Sequence, residues 1–295
     1  MSRKRIMALA RGLELARPIR IVDVGANPLY DPPYKPLVAT GQTELVGFEP
    51  QQEAYKELVK SAPDNATFIN AAVGADGEGT LHLYKSSGMG SLFPLRAASL
   101  NYLRRFKRLL PTETKHPVTL SSLDGLDQVP QIDLLKCDVQ GGELDVIKGG
   151  AAKLSKAQAI VVELRYYQLY EGEPTMGDLD NQLRAQGFKL HRFLPMAKVG
   201  LRSKYRDRLH PTRAKSQLID GDAVYIRSLE EIDTWSDEAL KRLCLMAAGV
   251  WYSHDMVLML LEELENRGLV KPKLARQYIS SLPPEMLAPV LEAAQ

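Results

Sequence analysis

Three carboxylates and one glycine turn carry the chemical question in this sequence. The stretch "IVDVGAN" (21–27) is an apolar run that ends in Asp23-x-Gly25-x-Asn27, and Glu49 in "GFEP" closes a second apolar run about 25 residues later. A carboxylate at the end of a second strand can accept hydrogen bonds from both hydroxyls of a ribose, which is the general plan of a nucleoside site. Gly25 suits close approach of a ligand to the backbone, since a side chain there would hold it away. Asp138, in "IDLLKCDVQGGE", follows a further apolar run, at the edge where open α/β sheets bind ligands.

The composition of the turn separates candidate cofactors. No G-x-G-x-x-G follows the first run, and a dinucleotide's pyrophosphate needs such a turn and the amides of a helix N-terminus. S-adenosylmethionine carries a sulfonium, an amino group and a carboxylate but no phosphate, so an acid such as Asp23 is useful beside it. Prolines 28, 32, 33 and 36 also remove amide donors that a phosphate would want. The turn therefore leans towards the methyl donor over NAD. Read alone, "DVGAN" is equally a strand and a tight turn of any α/β protein.

The elements that must position these residues alternate along the chain. Short β-branched runs at 19–26, 44–50, 67–74, 132–139, 159–166, 188–194 and 222–228 are separated by helical patterns, which predicts a seven-stranded, mostly parallel sheet between helices. "GTLHLYKSS" predicts an extra strand, and Arg96 to Leu110 a basic helix, both inserted before the fourth run. From Ser236 the apolar spacing becomes helical, with Ser236 and Ser253 as N-caps and Gly249 and Gly268 as stops. The reading divides the chain into a main domain, 1–230, and a helical extension, 231–295. The extension has more apolar surface than water tolerates, so it must dock on the main domain or on a second copy in a homodimer.

Composition narrows the class. The 295 residues are 45% hydrophobic and 25% charged with a formal charge of +2, as in ordinary globular proteins, and no recognisable nucleic-acid module is present. No apolar run reaches the roughly 18 residues of a membrane span. The basic start "MSRKRIMALARGLELARP" is broken by Arg11, Glu14 and Arg17 before a signal-peptide core can form, so a cytoplasmic protein is expected. Cys137 and Cys244 are the two cysteines; Cys137, inside an apolar run, reads as a buried thiol.

Taken in order, "IVDVGAN", "GFEP", "NAAVG" and "VTLSSLDGL…IDLLKCDVQGGELDVIKGG…IVVEL" resemble the signature of the FkbM family of methyltransferases over roughly residues 18–228. The resemblance implies a class I, Rossmann-like methyltransferase that uses S-adenosyl-L-methionine to O-methylate hydroxyls on sugars, glycans or secondary metabolites. It places Asp23, Gly25 and Asn27 at the methionine end of the cofactor, Glu49 at the ribose, and Asn70 and Ala72 near the adenine. Where the family pattern continues into a helix, "PLYDPPYKP" intervenes here, a loop that could carry Tyr30 and Tyr34 over the cofactor or simply lie exposed.

Methyl transfer to an alcohol asks the protein to align the oxygen and to share or remove its proton. Asp138 is the candidate catalytic group, acting directly or through a divalent cation with Glu163 as second ligand; direct positioning is the favoured reading, and no metal ligands are assigned. Glu143 reads as a helix-start charge as well as a catalytic candidate, and Lys136 as a partner for a nearby acid. His191, on a late strand, is the best placed histidine, though a core or surface role suits it better. The basic loop 198–215 lies where an acceptor would enter and could select an anionic one, or be plain solvated surface. A degenerate methyltransferase fold acting as a binding or assembly module is the alternative. A reductase would need a phosphate-binding turn and a Tyr-x-x-x-Lys pair, and neither is present.

Overall fold

The computed structural model describes residues 3–288. Among these residues two compact units arise: one from Ile19–Asp31 and Glu44–Ile232, the other from residues 3–18, Pro32–Thr43 and residues 233–288.

The larger unit is built on a seven-stranded sheet. Its ten strands in chain order, seven of them in that sheet, are β1 (Ile19–Val24), β2 (Thr43–Phe48), β3 (Ala66–Ile69), β4 (Ala72–Val73), β5 (Gly77–Leu83), β6 (Thr114–Ser121), β7 (Leu134–Cys137), β8 (Ala159–Arg165), β9 (Phe188–Val199) and β10 (Gln217–Arg227). The sheet order is β3-β2-β1-β7-β8-β10-β9. β1, β7 and β8 pair in parallel, as do β2 and β3, whereas β10 runs antiparallel to both β8 and β9. The central strands are buried on both faces, which is why "IRIVDV", "LLKC" and "AIVVELR" read as nearly unbroken apolar runs. The fold is thus the expected class I methyltransferase architecture. Sheet order reverses between β1 and β7, so their carboxyl ends diverge to leave a crevice.

The third predicted strand divides. Residues 66–69 stay in the large sheet, but the amide of Ala71 turns back onto the Ile69 carbonyl at 3.1 Å, and Ala72–Val73 pair with β6 in a second sheet of order β4-β6-β5. The predicted extra strand is β5 of that sheet. The basic helix also divides: Ala97–Leu103 is α-helical and Lys107–Thr112 is a 3₁₀ turn, separated by Arg104 and Phe106 in the left-handed region. Leu100, Leu103 and Leu109 join Leu169, Tyr170, Val199 and Ile219 in a satellite core cluster.

The smaller unit is helical: Arg3–Leu13, Asp237–Met246, His254–Asn266 and Pro272–Ser280, with the short turn Lys35–Val38. Ile6, Leu9 and Leu13 of the first helix are buried, and Leu274 lies where a Cβ on Gly12 would sit, so the first helix supplies cover that the tail's apolar stripes require. Ser236 caps as expected, accepting from the Ala239 amide, while Ser253 stands at the N-cap position without a side-chain cap bond. Gly268, at φ +71°, ends its helix as expected. Gly249 does not: the chain continues through a π-helical turn, Ala247–Trp251, and stops at left-handed Tyr252. Leu37 and Ile6 fill the space beside Gly249. Among the described residues no helix is long and apolar enough to cross a membrane.

Candidate active site

Three loops are stitched together at the carboxyl edge of the sheet. The amides of Gly25 and Ala26 both donate to the Phe48 carbonyl, at 3.0 and 2.9 Å, and the Asp138 amide donates to the Val24 carbonyl at 3.0 Å. Gly25 has φ +85°, and a Cβ there would lie 1.9 Å from the Asp138 carbonyl oxygen. The glycine is therefore required by the neighbouring turn, a different reason from the ligand approach expected of it. Asn27 also shapes the backbone, since its Oδ1 accepts from the Leu29 amide at 3.0 Å and closes an Asx turn in place of a helix start.

Around these loops lies a cleft of about 250 Å³, lined among others by Gly25, Asn27, Glu49, Ala72, Asp138, Gln140 and Glu163, with apolar walls from Phe48, Leu81, Leu83, Leu92 and Val139. Tyr30, 82% exposed, is at its rim. Tyr34 is buried in the helical unit instead of covering the cleft. His191 lies on β9, the edge strand, away from the lining residues. The strap Gly88–Leu92 closes another side, held by paired backbone bonds between His82 and Ser91 and by the Ser91 hydroxyl on the Gln140 carbonyl at 2.6 Å.

Two expected contact residues, Asp23 and Asn70, are not among the residues that line the cleft. Asp23 is 2% exposed, and its Oδ1 lies 3.5 Å from the Lys136 ammonium. Asn70 donates from Nδ2 to the carbonyls of Glu49 (2.8 Å) and Pro50 (3.1 Å), so it fixes the "GFEP" loop that presents Glu49. Glu49 itself accepts from the Gln51 amide at 2.7 Å, and burial pushes its carboxyl up to about 7, with Asp23 adding to the rise.

Lys136 answers the expectation of an acidic partner with two: Asp23 and Asp138, the latter at 3.4 Å, besides the Gly25 carbonyl at 3.5 Å. Burial alone would raise the Asp138 carboxyl. The Lys136 ammonium, the Gln140 amide at 2.8 Å and Arg165 outweigh it and hold Asp138 below the ordinary aspartate value. Glu163 behaves oppositely: burial, aided by Asp138 and Glu143, pushes it well above the ordinary glutamate value against the pull of Arg165. The two neighbouring carboxyls are thus driven in opposite directions, Asp138 towards the ionised form and Glu163 towards the protonated one.

Sequence patterning does not single out Gln140, Arg165, Glu173, Asp220 or Tyr170. Gln140 donates from Nε2 to Asp138 and to Glu163 (3.0 Å) while its Oε1 accepts from the Tyr170 hydroxyl at 3.1 Å. Arg165 binds Glu163, Glu173 and Asp220 at 2.8, 3.1 and 2.7 Å. Gln140 stands inside "DVQGGE", two residues beyond Asp138, and that proximity is the one signal the sequence offers for it.

Asp138, Glu143 and Glu163 each bring one oxygen within 4.8 Å of the others. Glu143, however, accepts from the Val139 and Gly141 amides at the start of its helix, which is the helix-start role, and burial lifts it to about 7. Glu163 is engaged by Arg165 and Gln140. The three thus hold one another's loops through existing hydrogen bonds. Cys137 is a buried free thiol, and burial raises its pKa.

The donor set fits an S-adenosylmethionine-like ligand and not a phosphate-bearing one. Glu49, Asp138 and Glu163 line the cleft without a lysine, arginine or histidine among the lining residues. Such a surface attracts a sulfonium or an ammonium and repels a pyrophosphate.

The methyltransferase FkbM domain is matched over residues 23–190. A protein of Sinorhizobium fredii named 2-O-methyltransferase NoeI is 30% identical over 173 residues, spanning 55% of this chain and 69% of its own. Among solved structures, magnesium protoporphyrin IX methyltransferase from Synechocystis, with bound S-adenosylmethionine, aligns at TM-score 0.36 and 11% identity over 76% of this chain and 77% of its own. A Thermotoga maritima S-adenosylmethionine-dependent O-methyltransferase aligns at 0.34 and 14% over 76% and 64%.

Proposed function

Because this chain belongs to the FkbM methyltransferase family, we propose that it binds S-adenosylmethionine in the cleft at the β1–β7 crevice and methylates a hydroxyl oxygen of a sugar, glycan or related metabolite. The observation that carries the reading is the cleft itself: acidic, free of cationic lining side chains and walled by apolar residues at the carboxyl edge of the sheet. The Sinorhizobium relative is named a 2-O-methyltransferase, which supports oxygen as the acceptor atom.

In this reading Glu49 accepts from the ribose hydroxyls, Ala72 and the apolar wall receive the adenine, and the Gly25–Asn27 turn faces the methionine end, with Asp23 acting from behind it through Lys136. When bound, the cofactor supplies a methyl carbon already activated by its sulfonium. The remaining work belongs to the protein: to place the acceptor oxygen in line and to give its proton somewhere to go. Asp138, held ionised, accepts a hydrogen bond from the acceptor hydroxyl. Its low basicity makes it a positioning acceptor that takes the proton as positive charge develops on the oxygen. Gln140 donates to both Asp138 and Glu163 and so holds the two carboxyl groups in fixed orientation.

The test is transfer of labelled methyl from S-adenosylmethionine to a panel of sugars and glycans. The expected outcome is incorporation into an alkali-stable ether that Asp138→Asn lowers by at least about a hundredfold, with cofactor affinity retained. Label in a carboxyl ester or an amine, or full turnover in Asp138→Asn, contradicts the proposal.

A further inference from the structure

The two basic segments flank one another at one end of the larger unit. Helix Ala97–Leu103 with its following turn, and the strand ends from which the arm between β9 and β10 springs, bury apolar residues in the same cluster: Leu100, Leu103 and Leu109 from the first, Val199 of β9 and Ile219 of β10 from the second. Their charged side chains are left outside. The first segment exposes Arg104, Arg105, Lys107 and Arg108, and residues 96–112 contain no acid. The arm carries Lys198, Arg202, Lys204, Arg208, Arg213 and Lys215 against Asp207 as its single acid between 198 and 215. None of these ten cations has a carboxylate within salt-bridge distance among the described residues. In a chain whose total formal charge is +2, so large a local excess is an asymmetry with a physical consequence.

Apolar side chains are exposed on the same segments. Tyr205 is 57% exposed with the Lys204 and Arg208 charges 4.9 and 6.0 Å from its ring, Leu209 is 54% exposed and Tyr102 49%; Leu201 is exposed as well, as is Met196 on the adjoining part of β9. The arm is braced: Arg206 donates to the carbonyls of Leu209 and Pro211, at 3.4 and 3.0 Å. A surface for nucleic acid would profit from the tyrosines but has no use for exposed leucines and a methionine. A phospholipid surface uses all three kinds of residue: cations for headgroup phosphates, tyrosines at headgroup level and leucines in the acyl boundary.

We propose that this face docks on an anionic phospholipid bilayer. It borders the active site, since Tyr170 belongs to the shared cluster and donates to Gln140, so docking would bring the acceptor side of the cleft towards the lipid surface.

The test is sedimentation of the full chain with vesicles of phosphatidylcholine alone or with about 30 mol% phosphatidylglycerol. Binding is expected only to the anionic vesicles and is expected to fall steeply by about 0.5 M salt. Arg202→Glu/Lys204→Glu/Arg208→Glu should weaken it by at least roughly a hundredfold, at about fivefold for each basic residue lost. Leu201→Ser/Leu209→Ser should weaken it without changing the salt dependence. Circular dichroism and S-adenosylmethionine affinity should match the wild type in both variants, which separates this result from misfolding and from the proposed catalytic role. No vesicle binding, equal binding to both vesicle types, or stronger retention by a single-stranded oligonucleotide than by the anionic vesicles overturns the proposal.

Discussion

Replacing Gly25 with alanine tests the reason given for that glycine. The new Cβ would stand 1.9 Å from the Asp138 carbonyl oxygen and 2.8 Å from its carbon, both backbone atoms, at a residue with φ +85°. A side chain in the left-handed region costs about 1 kcal/mol or more. Relieving the overlap means shifting one of two loops that hydrogen bonds fix to β1 and β2, at a typical overpacking cost of about 1–3 kcal/mol. The sum, about 2–4 kcal/mol, should lower Tm by roughly 4–16 °C for a unit of this size. Thermal unfolding by circular dichroism measures it in the ligand-free protein. If Gly25 served only ligand approach, Tm would be unchanged while cofactor affinity fell, and that result would refute the packing argument.

Further expectations concern buried charge. Glu49 has its carboxyl raised from 4.5 to about 7. Its stability contribution is therefore full below the unfolded value and is lost as pH rises through about 7, an ionisation cost of about 3 kcal/mol. Glu49→Gln should raise Tm of the ligand-free protein at pH 8, with a gain that shrinks towards pH 5; a lower Tm at pH 8 contradicts this. Arg165→Met should cost about 3–5 kcal/mol, because the buried Glu173 carboxylate loses its counter-charge. Adding Glu173→Gln should recover part of that loss in denaturant melts, and additive losses would deny the coupling. Ser236→Ala should cost about 1 kcal/mol by removal of the cap on the Ala239 amide, read as a shift in Tm.

Periodicity makes the sheet legible because the central strands are buried on both faces and have little freedom of composition. The seven runs fall on the seven strands, and Glu49 after β2 and Asp138 after β7 both line the cleft. The break in "TFINAAVG" is invisible in sequence because both pieces are strands, and only their partners differ. Asn70 and Asp23 belong to the site's support, and sequence spacing cannot distinguish a side chain that faces a ligand from one that fixes the adjacent loop. The Arg165 hub is hidden for another reason. Its partners are 2, 8 and 55 residues away on β8, a loop and β10, a spacing with no local pattern. Gly249 misleads because a glycine that admits close side chains looks, in sequence, like one that ends a helix.

The central claim is that the cleft takes an adenosyl group joined to an amino acid and rejects a dinucleotide. Calorimetric titration at pH 7.5 with S-adenosylmethionine, S-adenosylhomocysteine and NAD tests it directly. Both sulfur nucleosides should bind at one site, NAD should not, and Glu49→Gln should weaken them by about tenfold or more through loss of charged hydrogen bonds. Binding of NAD, or unchanged affinity in Glu49→Gln, would contradict the account.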